Sequence, residues 1–384
     1  MYCILSNLSP NSQHRLINIK HLISDVDFCN ACGSDGIIKI HFVLIRIINT
    51  TLSNPISFVR KYKTSELIIS DVQHINLHDI NTITKYKMDL STPYINHLVK
   101  YNRGDILDNF INSNTHKDIL VKYLLGSEPL NNASMYGHVD LLQWLINTKL
   151  PLDYTVDAID FASSKGHVKV LEWWVNSNLL LKYDYAIEYA SLNGHIHVLE
   201  WWKNSGLQLK YDNTILDTIS RSLKNNENKC IQVLEWWFNS GLPLKYTKTA
   251  LENTSWSSHI NVLELWKNSG LPLKYSCDVI DYVYSAKNPV RVLNWWKNSG
   301  LHFKYSKTSL RCATLYNRIN ILEWWKNSGL PLKYDEYVLH NPPWRIGTIS
   351  DNIINWWKNS GLHINILENI PENTDTPIDF DRIF

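Results

Sequence analysis

The chain of 384 residues repeats one phrase, Glu-Trp-Trp-Lys-Asn-Ser-Gly-Leu or a near copy of it, from about residue 140 to residue 362. Successive copies begin 28 to 35 residues apart. A repeat of this length is typical of a small unit that is stacked many times, because such a unit buries its apolar face only against its neighbours. The phrase therefore favours a repeat array over a globular enzyme core. The first position of the Trp pair is held by Trp144, Trp173, Trp201, Trp236, Leu265, Trp295, Trp324 and Trp356.

Each copy has the pattern of two short helices. In the copy that begins at Tyr183, Asp184 can cap a first helix over residues 185–192, and Asn193-Gly194-His195 can end it. A second helix is predicted over residues 196–204. A good N-cap residue follows a Tyr in seven copies, which fixes where each first helix begins. These residues are Thr155, Asp184, Asp212, Thr247, Ser276, Ser306 and Asp335.

Three segments carry a family resemblance. Residues 132–142, 162–171 and 190–199 each contain an Ala-Ser pair, a Gly-His turn and an apolar second helix, and they resemble the core of the ankyrin repeat. That family adds a β-hairpin finger and has a period of about 33 residues. The residues missing here fall in the finger, so we expect plain loops. The pattern is also similar to divergent ankyrin proteins of large DNA viruses of amoebae. The resemblance implies an all-α repeat solenoid.

The domain organisation follows from where the repeats lie. Residues 91–364 are predicted to form the solenoid, and residues 365–384 a C-terminal tail. Residues 1–90 do not repeat and are interpreted as a small N-terminal module, of α+β type, or as decayed repeats. Within them, residues 37–48 and 66–77 are rich in β-branched residues and fit strands or short helices equally well.

Composition narrows the environment and the class of partner. The formal net charge of +2 gives no general attraction to nucleic acid or to a membrane. The most apolar run, residues 37–48, is interrupted by Lys39, His41 and Arg46 and is shorter than the roughly 20 residues of a membrane helix. The first residues lack the pattern of a secretory signal. We therefore expect an intracellular, cytoplasmic monomer with reduced cysteines, in the host cytoplasm if the protein is viral.

Two sets of repeated residues admit two interpretations each. The Trp pairs could form an aromatic platform for ligands, or a core between repeats. Burial favours the core, more strongly for the second Trp of each pair than for the first. The Lys columns could meet phosphates or could be solvated edges. One column precedes the Tyr residues and the other follows the Trp pairs; they contain Lys182, Lys210, Lys245, Lys274, Lys304 and Lys333, and Lys203, Lys267, Lys297, Lys326 and Lys358.

Candidate metal ligands are few. The turn His residues, His138, His167, His195 and His259, occur once per repeat, and a spacing of about 10 Å between packed helices is too great for a shared metal. The only other pattern is Cys29-Asn30-Ala31-Cys32 with His74 and His78. The 41 residues between Cys32 and His74 exceed zinc-finger spacing. We therefore predict no metal and no cofactor.

The sequence predicts a non-catalytic scaffold for protein–protein interaction, because no phosphate loop or catalytic triad pattern is present. By analogy with ankyrin repeats, the first helices would line a concave binding face. Its residues lean acidic, which suits a partner with a basic segment. Two alternatives stay open: nucleic-acid binding along the Lys columns, and an adaptor that recruits host machinery through its N-terminal module. The predicted partner-binding residues are Asp157, Asp160, Tyr185, Glu188, Thr214, Asp217, Asp278 and Asp281.

Overall fold

The structure, a computed structural model, divides into two compact units, residues 1–211 and 212–384. Unit 1 and unit 2 are described separately below. The structure describes the backbone of six strands up to residue 76, and residues 76–364 apart from 89, 114–115, 213, 223–225, 336–337 and 341–347. The predicted tail at 365–384 and the irregular segment around Pro342 lie outside the described residues, and the boundary predicted at residue 90 stays a prediction.

The N-terminal part of unit 1 contains antiparallel strands. Four strands pair in the order β3-β1-β4-β6, and β2 pairs with β5. The strands β4 and β6 lie where the sequence fitted strands or short helices equally well, and their β-branched residues favour the extended form. The strands are β1 (Tyr2–Leu5), β2 (Gln13–Arg15), β3 (Ile17–Asn18), β4 (Ile37–Ile45), β5 (Lys61–Lys63) and β6 (Leu67–Asn76).

The rest of unit 1 is helical. After α1 (Ile80–Lys85), the described part of unit 1 contains four pairs of short helices, with one additional helix, Lys117–Leu125, between the first pair and the second. The first helices of successive repeats pack side by side. Each pair consists of a first helix and a second helix joined by a tight turn. The helices are α2 (Thr92–Lys100), α3 (Gly104–Ile111), α4 (Lys117–Leu125), α5 (Pro129–Tyr136), α6 (Val139–Asn147), α7 (Asp157–Lys165), α8 (Val168–Asn176), α9 (Ala186–Asn193) and α10 (Ile196–Asn204).

Unit 2 contains helix pairs of the same kind, and α19 is described without a first helix before it. Among the described first helices of unit 2, α15 lasts a single turn and is followed by a 3₁₀ helix at Val283–Ser285. The helices are α11 (Ile215–Ser222), α12 (Glu227–Asn239), α13 (Thr249–Ser257), α14 (Ile260–Asn268), α15 (Asp278–Asp281), α16 (Pro289–Asn298), α17 (Thr308–Leu315), α18 (Ile319–Asn327) and α19 (Asp351–Asn359). The predicted fold class, an all-α repeat solenoid that follows an N-terminal module, is confirmed.

The loops between pairs end, and the first helices begin, within a few residues of the predicted caps. In five repeats the predicted cap residue accepts a hydrogen bond from the backbone N–H two residues later, at 2.6–3.2 Å. This bond satisfies one of the donors that the start of a helix leaves open. The described residues of the connecting loops, such as 205–212, form no strands, so the expected truncation of the hairpin finger is confirmed. The five caps are Thr155, Asp212, Thr247, Ser276 and Ser306.

The second Trp of each pair forms the core of the stack, which confirms that prediction. These side chains are at most 1% exposed. In five of them the indole N–H donates to a Ser or Thr hydroxyl on a first helix, at 2.9–3.1 Å. In these five repeats the buried ring thus keeps its N–H hydrogen-bonded, as is usual for a buried indole. The donor–acceptor pairs are Trp174–Ser134, Trp202–Ser163, Trp266–Ser220, Trp296–Ser255 and Trp357–Thr314.

The first Trp of each pair makes a second ladder between repeats. Its ring meets the second Trp edge to face, with centroids 5.1–5.3 Å apart. Its indole N–H donates to a second-helix side chain of the preceding repeat, at 2.6–3.1 Å. These rings are half-buried, apart from the buried Trp356. The Trp pairs therefore join repeats. The partners in this ladder are Trp144–Asp108, Trp173–Gln143, Trp295–Glu264, Trp324–Asn294 and Trp356–Glu323.

Candidate interaction surface on the first helices

Three of the eight predicted partner-binding residues are buried and bind the next repeat. Asp160 is 1% exposed, and Asp217 and Asp281 are 3% exposed. The Asp217 carboxylate accepts hydrogen bonds from the backbone N–H and the hydroxyl of Thr247, at 2.8 and 2.6 Å. Asp281 does the same for Ser306, at 2.8 and 2.5 Å. These carboxylates hold the cap of the following first helix, so they are not available to a partner.

Asp160 makes the same kind of contact in unit 1. Its carboxylate accepts the backbone N–H groups of Asp184 and Tyr185, at 3.1 and 3.0 Å. Burial raises the pKa of Asp160, and the two backbone donors oppose that rise. Asn131 shows that an amide can fill this role, because its Oδ1 accepts the Thr155 N–H and its Nδ2 donates to the Thr155 hydroxyl, at 3.1 and 2.9 Å. We call the contact between a first-helix side chain and the cap of the next first helix the clamp. The clamp therefore depends on an acceptor at this position.

Substitution of Asp217 tests this clamp. We expect Asp217→Ala to lower the free energy of unfolding by about 1.5–3 kcal/mol, because it strands a backbone N–H whose acceptor was a charged group. Asp217→Asn should cost less, since an amide can bind Thr247 as Asn131 binds Thr155. Urea denaturation followed by circular dichroism measures both. Equal losses in the two variants would show that the clamp is not the source of the stability.

The Lys column before the Tyr residues is bound within the stack. In five repeats the Lys Nζ donates to the carbonyl oxygen of the preceding repeat's Tyr, at 2.7–3.2 Å, and lies 4.2–4.9 Å from the centroid of that ring. The same Tyr ring packs on the buried Trp of its own repeat, at 4.7–5.0 Å. A cation–π contact combined with a carbonyl bond fixes each ammonium group. The pairs are Lys182–Tyr154, Lys210–Tyr183, Lys274–Tyr246, Lys304–Tyr275 and Lys333–Tyr305.

The Lys column after the Trp pairs is more open. Lys267 lies 3.4 Å from Glu264, and Lys297 donates to the Ser328 carbonyl oxygen at 2.5 Å. Lys326 and Lys358 are exposed and form no ion pair with the residues that the structure describes. The column is therefore not a uniform basic stripe.

Two other predicted residues, both in unit 2, are bound to the cap residues of their own first helices. Asp278 is bound to Lys248 and to the Ser276 hydroxyl, both at 2.7 Å. Thr214 is exposed, but its hydroxyl donates to Asp212 at 2.8 Å. Their polar atoms are thus engaged at the starts of first helices.

The remaining three predicted residues lie on neighbouring first helices of unit 1. Tyr185 is 53% exposed, and Asp157 on α7 and Glu188 on α9 are half-buried. The Asp157 carboxylate makes no hydrogen bond or ion pair with the described residues. Sequence reasoning missed Phe161 and Tyr189 on the same helices. Tyr189 stacks on Phe161 with centroids 6.4 Å apart, and Tyr185 stacks on Tyr189 at 5.8 Å.

Five residues therefore make one candidate surface, which we call the aromatic–acidic face: Asp157, Phe161, Tyr185, Glu188 and Tyr189. Each clamp acid lies five residues after the cap of its own repeat, as Asp160 follows Thr155 and Asp217 follows Asp212, and this spacing could have separated structural acids from surface acids. Residues that recur at the same position of every repeat indicate packing between repeats. Residues that vary at neighbouring positions are the ones left for recognition.

The candidate zinc ligands divide between described and undescribed parts of the chain. Cys29, Cys32 and the His74 side chain lie outside the described residues. The His78 ring is buried, with His97 Nε2 3.2 Å from its Nε2 and Arg103 Nη1 2.6 Å from its Nδ1. An Arg donor at one ring nitrogen and a His at the other place both nitrogens in a hydrogen-bond network. Among the side chains that the structure describes, no group of three or more His, Cys, Asp or Glu could hold a metal.

The turn His residues pack against glycines. A Cβ added to Gly137 would lie 2.8 Å from the His167 ring, and one added to Gly166 would lie 2.9 Å from the His195 ring. Burial lowers the pKa of His167 and His259, which favours the neutral ring. Their role as turn residues follows from these contacts.

Two of the cysteines, Cys230 and Cys312, have thiols whose surroundings make them unreactive. Burial raises the pKa of Cys230 and of Cys312 to about 12. Thiols with such pKa values are protonated at neutral pH and are poor nucleophiles. They behave as small core residues.

Comparison with known proteins agrees with the repeat architecture. Residues 130–173, which span α5 to α8, match the family model described as "Ankyrin repeats (many copies)". This match supports an ankyrin-repeat protein, a class that is typically non-catalytic and that generally mediates protein–protein interaction. No curated protein matches the chain. None of the described helices is long and apolar enough to cross a membrane.

Proposed function

We propose that the protein is a non-catalytic scaffold whose aromatic–acidic face binds a basic segment of a partner protein. The observation that carries this proposal is the stacked, partly exposed row of Phe161, Tyr189 and Tyr185 beside Asp157 and Glu188. Aromatic rings attract Lys and Arg side chains through their negative faces, and the carboxylates add charge complementarity. Tyr side chains are also frequent anchors of protein interfaces.

The repeated residues support this choice by exclusion. The Trp pairs, the Tyr–Lys contacts and the buried acids all bind neighbouring repeats, so they have structural roles. The first-helix positions of unit 1 differ from copy to copy and are left for recognition. The resemblance to proteins of amoebal viruses would make the partner a host protein and the location the host cytoplasm. The adaptor alternative rests on residues 1–90, and no described residue there favours it.

A peptide selection tests the proposal. A random library of peptides displayed on phage is selected against the full-length protein, and the selected peptides are expected to be rich in Arg and Lys. The triple variant Asp157→Asn, Tyr185→Ala, Glu188→Gln should weaken their binding at least about tenfold, which corresponds to about 1.4 kcal/mol. Fluorescence anisotropy of labelled peptides gives the affinities.

The matched control changes two exposed acids and one exposed apolar residue on second helices. Asp140 and Glu172 are exposed on α6 and α8, and Val175 is 45% exposed on α8. The variant Asp140→Asn, Glu172→Gln, Val175→Ala should bind the selected peptides as the unmodified protein does. Selected peptides without a basic bias, or equal losses in the two triple variants, would rule out the aromatic–acidic face as the binding site.

A further inference from the structure

In unit 2, the turns that join first to second helices lie side by side along one edge, which we call the turn edge. The Ser257 hydroxyl donates to the Arg221 carbonyl oxygen at 3.1 Å, and the Asn288 N–H donates to the Ser258 hydroxyl at 2.9 Å. Farther along, the Ser350 N–H donates to Asn317 Oδ1 at 2.9 Å. The Tyr284 and Tyr316 rings stack between the turn that precedes α16 and the turn that precedes α18.

The turn edge carries an excess of positive charge. Three exposed Arg side chains lie in or beside these turns, Arg221 at the first, Arg291 at the third and Arg318 at the fourth, with the exposed Lys287 and the half-buried Lys229. The described acids on the same edge are Glu227, which accepts the Asn261 N–H at 2.7 Å, and Asp351 at the start of α19. Five cations against two carboxylates leave a net positive edge.

Many of the other acids that the structure describes in unit 2 are bound away from the turn edge. Buried carboxylates hold helix caps, Glu264 contacts Trp295, Glu323 contacts Trp356, and Asp335 pairs with Lys307. As a result, Arg221, Lys229, Arg291 and Arg318 form no ion pair within the described part of unit 2. Burial of these groups on a polyanion would therefore break no existing ion pair.

An aromatic platform lies among these cations. Tyr316 is 44% exposed and precedes Arg318 by two residues. Its ring stacks on Tyr284 with centroids 4.2 Å apart and planes 14° from parallel. Such a stack holds Tyr316 in one orientation before any ligand binds. Exposed aromatic rings beside Arg and Lys are the combination on which the bases of a single strand stack while its phosphates meet the cations.

We propose that the turn edge of unit 2 binds single-stranded nucleic acid, with phosphates at Arg291 and Arg318 and a base on the Tyr316 ring. An acidic peptide would meet the charges but would leave the tyrosine platform without a planar group to stack on it. This site uses residues other than the predicted Lys columns and other than the aromatic–acidic face, and it does not depend on the proposed protein partner.

Fluorescence anisotropy with a labelled single-stranded oligonucleotide of mixed sequence, about 20 nucleotides long, tests the site on the full-length protein. Binding is expected at 50 mM salt and should weaken as salt increases, with log K falling by about 0.7 per neutralised phosphate for each unit of log salt concentration. Arg291→Ala with Arg318→Ala should reduce that slope by about 1.4. Tyr316→Ala should weaken binding roughly 5- to 150-fold with the slope unchanged.

Lys326→Ala with Lys358→Ala is the matched control, because it removes two exposed cations from second helices away from the turns. This variant should retain the affinity of the unmodified protein, and circular dichroism should show that all variants keep their helices. The proposal is overturned if the oligonucleotide does not bind at 50 mM salt, if the two double variants lose affinity equally, or if a poly-glutamate peptide competes as well as unlabelled oligonucleotide.

Discussion

Trp296→Ala is expected to lower the free energy of unfolding by about 3–5 kcal/mol, the usual cost of removing a large aromatic from a core. The Trp296 ring is fully buried and packs 4.9 Å from Tyr275, and its N–H donates to the Ser255 hydroxyl at 2.9 Å. The substitution leaves a cavity between repeats and strands that hydroxyl. Urea denaturation gives the loss, and hydrogen exchange should place it in the helices that flank the cavity.

The adjacent Trp295 provides the control. Its ring is half-buried and its N–H is bound to Glu264 at the surface, so Trp295→Ala should cost about 1–2 kcal/mol by the area it removes from water. Trp325 gives a second comparison, since its buried N–H has no acceptor among the described residues. Trp325→Phe should therefore be tolerated better than Trp296→Phe. A Trp295→Ala cost equal to that of Trp296→Ala would contradict the core assignment of the second Trp.

Gly166→Ala is expected to destabilise unit 1 by more than the same change at Gly206. Both glycines have left-handed backbones, with φ of +85° and +72°, where Ala costs about 1–2 kcal/mol. A Cβ at Gly166 would also lie 2.9 Å from the His195 ring, whereas nothing lies within 4 Å of one at Gly206. The turn must therefore shift at Gly166 only, and thermal unfolding should show the larger loss there.

A double-mutant cycle separates the two causes. If the His195 ring is the obstacle, His195→Ala should recover the part of the Gly166→Ala loss that exceeds the loss at Gly206. If the cycle shows no coupling, the Gly-His contact is not what requires glycine at this turn, and backbone conformation alone explains it.

The helix pairs and their limits could be predicted because they depend on local signals. Residues 196–204 were predicted as a second helix and form α10 with those limits, and residues 185–192 differ from α9 by one residue at each end. Caps such as Thr155 act on the backbone two residues away. Burial of Trp174 followed from area alone, because a row of exposed indoles would be too apolar for a soluble surface. The helix limits and caps depend only on residues that are close in sequence, and the burial of the indoles depends only on the total apolar area of the chain.

The roles of the acids and lysines depended on the tertiary structure. Asp217 and Thr247 are 30 residues apart, and the partners of the other clamps are 24 or 25 residues apart. Nothing local indicates that the side chain turns towards the next cap. For Lys304 the sequence allowed either a solvated edge or a phosphate contact, and only the structure shows its contact with Tyr275 in the preceding repeat. The sequence by itself determined the repeat, its turns and its buried indoles, because periodicity and burial are properties of one chain segment. Only the stacking of repeats decided which charges are used internally, because those partners meet across the interface between units of the repeat.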